Sequence, residues 1–175
     1  AKEARLTLPH TELTLLDTPG HADFGAEMER TLSVLDYALL IISGTDGVQA
    51  HTETLWRLLE RYRLPVFIFI NKMDRPGADR AEILQNLQQK LSPACLPADA
   101  EEETLALCNE GLMQEYLEGG TLTAERLAAA VARREWFPCF WGAALRQEGI
   151  TGLLGGLDRL TLPPAYLPDF AARVY

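Results

Sequence analysis

Two runs of unbroken apolar residues, Tyr37–Ile42 and Val66–Ile70, constrain this chain more than anything else in it. A strand that is apolar at every position is covered on both faces, as strands of a parallel sheet are. Between the runs, Thr52–Arg63 puts Leu55, Leu58, Leu59 and Tyr62 on one helical face. Strand, helix and strand in that order imply a right-handed crossover and a mainly parallel sheet. In such sheets ligands bind outside the carboxyl ends of the strands. The loops following the strands are therefore the places to look for chemistry.

The rest of the chain fits the same pattern. Arg5–Leu8 and Glu12–Leu16 alternate polar and apolar residues around Pro9-His10-Thr11, which predicts an antiparallel hairpin. The second strand runs into Asp17-Thr18-Pro19-Gly20-His21. A helix is predicted over Ala22–Leu35 from the spacing of Phe24, Met28, Leu32 and Leu35. Asp79, with Glu82 three residues on, predicts the start of another helix. Ser92–Ala100 reads as a Pro/Ala-rich connector, Glu101–Glu118 and Thr123–Arg134 as helices, and Phe137–Trp141 as a short strand. A closing helix is expected over Ile150–Leu160. Residues 161–175 read as a linker and the first strand of a following domain. The predicted division is a domain over 1–160, with an insertion at about 92–135.

Composition excludes several classes of function. The chain has 175 residues and 47% hydrophobic content, enough for one packed domain. No apolar run approaches the roughly 20 residues that span a bilayer, and no signal core follows Ala1, so a cytoplasmic protein without a membrane partner is expected. Cys95, Cys108 and Cys139 lack any CxxC spacing and suit free thiols in a reducing compartment. A net charge of −9 argues against DNA binding through a broad basic face, while leaving room for docking on a ribosome through a local patch.

Asn71-Lys72-Met73-Asp74 follows the second apolar run. Guanine presents an N1–H and an N2 amino group side by side, and a carboxylate such as Asp74 accepts both. Adenine lacks that donor pair and would leave the carboxylate unpaired, at a cost of about 1–3 kcal/mol. Lys72 can lay its methylene stem along the base, and Asn71 can tie the loop to its neighbours. A backbone N–H in the Ala143–Ala144 loop would supply the donor for O6. Taken alone, Asn71–Asp74 also suits a plain polar turn after a strand.

Asp17–His21 suits the phosphate end of a nucleotide. Asp17 ends a strand and could hold Mg²⁺ through a water. Gly20 permits close backbone approach to a γ-phosphate, and the following helix start favours an anion. His21 stands where an attacking water could be positioned. The same residues also suit an N-capping turn, and a lone His21 a surface histidine. A phosphate-gripping loop reads GxxxxGK[ST]. The only lysines are Lys2, Lys72 and Lys90, and none closes such a loop.

Asp17-Thr-Pro-Gly-His21 together with Asn71-Lys-Met-Asp74 resembles the third and fourth guanine-nucleotide motifs of translational GTPases, whose branch carries a His after that Gly. Gly142-Ala-Ala-Leu145 resembles the fifth motif, usually Gly-Ser-Ala, with Ala143 in place of Ser. Thr31–Asp36, Leu40–Ser43, Asp46–Ala50, Asn109–Gly119 and Phe137-Pro138 resemble the ribosomal protection proteins of tetracycline resistance. Glu53–Arg57 and Asn71–Ala78 look equally like elongation factor G. The segment between the fourth and fifth motifs is closer in length to that of the protection proteins. Ser92–Glu103 is the weakest stretch of the resemblance.

The resemblance implies an α/β fold of the P-loop-NTPase type. Its mainly parallel sheet would have flanking helices and a helical insertion before the last strand, with the first strand and P-loop missing from these residues. It implies GTP/GDP and Mg²⁺ as ligands, and GTP hydrolysis stimulated by the ribosome near the sarcin-ricin loop. The GTP-binding positions would be Asp17, Thr18, Pro19, Gly20, His21, Asn71, Lys72, Met73, Asp74, Ala143, Ala144 and Leu145. Among them Asp17 would stand on the magnesium side, Gly20 would sense the γ-phosphate, His21 would position the water and Ala144 would contact O6. An elongation factor G paralogue, or a non-catalytic fragment that contacts a partner without GTP, are the alternatives. Without a P-loop the chain alone is expected to bind GTP weakly, to be inactive, and to self-associate through exposed strand edges.

Overall fold

The computed structural model describes residues 2–18 and 26–163. The hairpin forms as its alternation predicts: β1 (Lys2–Thr7) pairs antiparallel with β2 (Glu12–Asp17), Leu6 opposite Leu13 and Lys2 opposite Asp17. These two strands make a sheet of their own. The loop after β2 and the loop after the Val66–Ile70 run therefore end two different sheets. The ladder satisfies the inner edges of β1 and β2, and the hairpin is tied to the domain by its turn. There His10 donates its backbone N–H to Asp158 Oδ1 at 2.9 Å, and its ring Nδ1 lies 2.8 Å from Asp158 Oδ2.

The main sheet has the order β3–β4–β6–β5 and is parallel throughout, with β3 at Ala38–Ser43, β4 at Val66–Asn71, β5 at Cys95–Pro97 and β6 at Phe137–Trp141. Five consecutive β4 residues, Val66 to Ile70, are almost fully buried because helices cover both faces. On one face Val66, Ile68 and Ile70 pack with α1 (Ala26–Leu32), α2 (Ala50–Arg61) and α3 (Arg80–Lys90), through Leu32, Trp56, Leu59, Ile83 and Leu87. On the other, Phe67 and Phe69 meet α4 (Glu102–Ala106), α5 (Glu110–Gly119), α6 (Ala124–Ala132) and α7 (Ile150–Leu160). The predicted mainly parallel sheet with flanking helices, and a helical insertion before the last strand, is what forms.

Two local expectations change. The Glu101–Glu118 helix is really α4 and α5, because Asn109 is extended and caps a new start, its Oδ1 accepting from Leu112 N at 2.8 Å. The Ser92–Ala100 connector contains β5, whose Pro97 lies opposite Cys139. A proline is tolerated there because β5 is an edge strand and needs no second ladder. Asp79 caps α3 as predicted, accepting from Glu82 N at 2.8 Å. The strand expected at Phe170–Tyr175 lies outside the described residues.

Candidate functional site

Parallel register brings three loops level at the carboxyl edge. Ser43 stands opposite Asn71, and Ile70 opposite Trp141. Gly142 donates to Ile70 O at 2.9 Å and accepts from Met73 N at 3.0 Å, which stitches the loop after β4 to the loop after β6. Gly44 N donates to Asn71 O at 2.7 Å, adding the loop after β3.

Asn71 is the hub of this arrangement. Its Oδ1 accepts from its neighbour Lys72 N at 2.8 Å and from Ala144 N at 2.9 Å. Lys72 sits at φ 66°, a left-handed conformation uncommon for a residue with a side chain. Such a conformation costs on the order of 1–3 kcal/mol and persists when its surroundings fix it. The bond from Lys72 N to Asn71 is one element of that fixing.

The loop after β6 is closed on itself. Ala143 N donates to Glu148 O at 3.1 Å and Glu148 N returns to Ala143 O at 3.2 Å, enclosing a single 3-10 turn at Ala144–Arg146. Two glycines permit this closure. A Cβ on Gly142 would come within 2.2 Å of Glu148 O, and one on Gly149 within 2.1 Å of Trp141 O. Gly149 also has φ 77°, a conformation that side chains disfavour.

The turn carries Arg146 to Asp74. Arg146 Nε lies 3.2 Å from Asp74 Oδ2, with the arginine side chain 63% exposed and the aspartate only 18%. The Asp74 carboxylate thus has a planar guanidinium beside it as an ion pair. A guanine edge offers donors of the same kind, so the residues present fit that base.

The expected O6 donors are engaged elsewhere. Ala143 N is bonded to Glu148 and Ala144 N to Asn71. An Ala144 contact with O6 thus requires Asn71 to share or release that N–H. Leu145 follows almost wholly exposed. Asp17, at the end of β2, is exposed, and Thr18 follows it. Pro19, Gly20 and His21 lie outside the described residues. Among the described residues no three His, Cys, Asp or Glu side chains converge as a metal site.

Sequence reading missed Arg146, Glu148 and Gly149. A basic residue directly after Leu145, and a glycine before the closing helix, were the available signals. Neither has meaning until the loop is seen folded back on β4.

The Elongation factor Tu GTP binding domain family matches residues 1–163. The chain belongs to that family. It is 38% identical over 94% of its length to the tetracycline resistance protein TetM of Streptomyces lividans, and spans 29% of that relative. It is 33% identical over 90% of its length to elongation factor G 2 of Geobacter metallireducens, and spans 30% of it. A crystal structure of a Thermus thermophilus protein superposes with a TM-score of 0.78 at 25% identity, over 91% of this chain and 32% of that one. The chain therefore spans less than a third of these relatives. The family match and the superposition agree with the parallel sheet and flanking helices of a G domain. Among the described residues no helix is long and apolar enough to cross a membrane.

Proposed function

We infer that this chain is the greater part of the G domain of a ribosome-dependent GTPase of the tetracycline-resistance ribosomal protection type. The observation that carries the reading is the bond from Ala144 N to Asn71 Oδ1, which holds two loops distant in sequence as one unit. Asp74 and Lys72 lie in that unit, which supports reading them as guanine contacts. The higher identity to TetM than to elongation factor G 2 supports the protection type.

In this reading Asn71, Lys72 and Asp74 bind the base, and Ala144 N–H turns to O6 when Asn71 yields it. Asp17 stands on the side where a hydrated Mg²⁺ neutralises phosphate charge, Gly20 senses the γ-phosphate, and His21 orients the attacking water. The whole protein works in the cytoplasm, with the ribosome near the sarcin-ricin loop as its partner. The 175 residues alone bind GTP weakly.

The test uses the complete protein with ribosomes. His21→Ala is expected to lower ribosome-stimulated GTP hydrolysis by about 100-fold or more, with GDP affinity little changed. Unchanged hydrolysis would remove the catalytic assignment. Growth of cells expressing the protein under tetracycline separates the protection type from an elongation factor G paralogue: no protection, with hydrolysis intact, would favour the paralogue.

A further inference from the structure

We propose that Arg146 is an internal stand-in for guanine, holding the Asp74 carboxylate until a guanine base displaces it. The proposal rests on the reading above that Asp74 recognises guanine.

The chemistry of the two groups carries the argument. The N1–C2–N2 edge of guanine is a guanidine fragment, planar, with N–H donors side by side. An arginine head is the same fragment with a full charge. Arg146 Nε lies 3.2 Å from Asp74 Oδ2 as an ion pair, so a chemical analogue of the base stands beside the reading carboxylate.

This contact is built by the backbone. Arg146 N donates to Ala143 O at 2.9 Å, which winds the 3-10 turn and directs residue 146 back toward β4. Asp74 is held by its own loop, through Met73 N on Gly142 O at 3.0 Å and Arg75 N on Lys72 O at 3.1 Å. Asn71 ties the two loops together at Ala144. The partners differ in freedom: Arg146 is 63% exposed and can swing into water, whereas Asp74 is 18% exposed and stays. The site can therefore open by losing a side-chain contact without moving its frame.

The magnitude sets the role. An ion pair this open contributes about 0–1 kcal/mol. Arg146 therefore tunes affinity by a few-fold and does not block the site. Only a base that satisfies Asp74 in its place gains from the exchange. Adenine, lacking the donor pair, does not.

The experiment measures GDP, ADP and xanthosine diphosphate affinities in the complete protein carrying this chain. Arg146→Met is expected to tighten GDP about two- to fivefold and leave ADP unchanged. The gain should shrink as salt is raised, because the pair it removes is screened. Arg146→Lys, which keeps charge but loses the planar fork, should fall between. Weaker or unchanged GDP binding by Arg146→Met overturns the proposal, since it would make Arg146 a cover for the base or a bystander. Asp74→Asn separates this failure from failure of the underlying reading. An amide matches the N1–H and C2 carbonyl of xanthine, so this variant should exchange GDP for xanthosine diphosphate preference. If it does not, guanine reading by Asp74 falls, and the proposal with it. If it does, Arg146→Met in that background should add nothing, because the carboxylate it answers is gone. An equal gain in both backgrounds would also overturn the proposal.

Discussion

Asn71 Oδ1 lies 2.9 Å from Ala144 N, across a separation of 73 residues. The same oxygen accepts from Lys72 N at 2.8 Å. One side-chain atom thus joins the ends of β4 and β6 and supports a left-handed residue between them. Asn71→Ala removes the one acceptor of both bonds and leaves two N–H groups to find water. We expect a loss of about 1–2 kcal/mol in urea unfolding. Asn71→Asp keeps the acceptor and should lose less. Equal losses for the two variants would mean that the oxygen is not what matters.

The parallel sheet was legible because Val66–Ile70 is apolar at every position, and the residues flanking it could only be loops at a carboxyl edge. Asn71 was legible as the residue that ties its loop to a neighbour, and its side chain does accept from Ala144 N. Arg146 was not, because its partner is fixed by a 3-10 turn that no periodicity announces. The separate hairpin sheet was equally hidden. Alternation in Glu12–Leu16 specifies a half-covered strand but says nothing of its neighbour beyond β1. β5 was missed because three residues ending in Pro97 give too short a pattern to distinguish from a connector.

Gly149 and Gly152 make a paired test of backbone geometry. A Cβ at Gly149 would lie 2.1 Å from Trp141 O, at φ 77°. The obstructing atoms are backbone of Trp141 and Gly142 and cannot rotate away, so Gly149→Ala should cost about 2–5 kcal/mol from overpacking and strain together. Gly152 lies within α7, and a Cβ there meets nothing within 4 Å. Gly152→Ala should be neutral or stabilise by about 0.5–1 kcal/mol. Thermal unfolding of both reads the difference, and similar Tm values would refute the steric account.

Asp158 gives the fold an acid dependence. The carboxylate, little exposed, is held below its ordinary range, chiefly by its hydrogen bond with the His10 side chain and further by the His10 backbone N–H. A folded-state pKa below the unfolded one contributes stability that is complete above the unfolded value. That contribution is lost as pH falls through the folded one. With an ordinary aspartate near about 3.9, the hairpin anchor should hold at neutral pH and weaken below about pH 4. Asp158→Asn should be less stable than wild type at pH 7, and the gap should narrow toward pH 3. A gap constant with pH would show that packing, not charge, fixes the hairpin turn.

The sheet order leaves the outer edge of β3 without a strand partner among the described residues. Ile41, in the middle of that strand, is 61% exposed. An unpaired edge with exposed apolar surface is a template for pairing with another chain. β3 is bonded on its inner side to β4 over six residues, so the edge is rigid and extended. We expect the 175-residue chain to self-associate reversibly, with its weight-average mass in sedimentation rising with concentration. Ile41→Lys puts a charge beside that edge and should shift the protein toward monomer without loss of helical signal. A single monomeric species for wild type at high concentration would exclude association through β3.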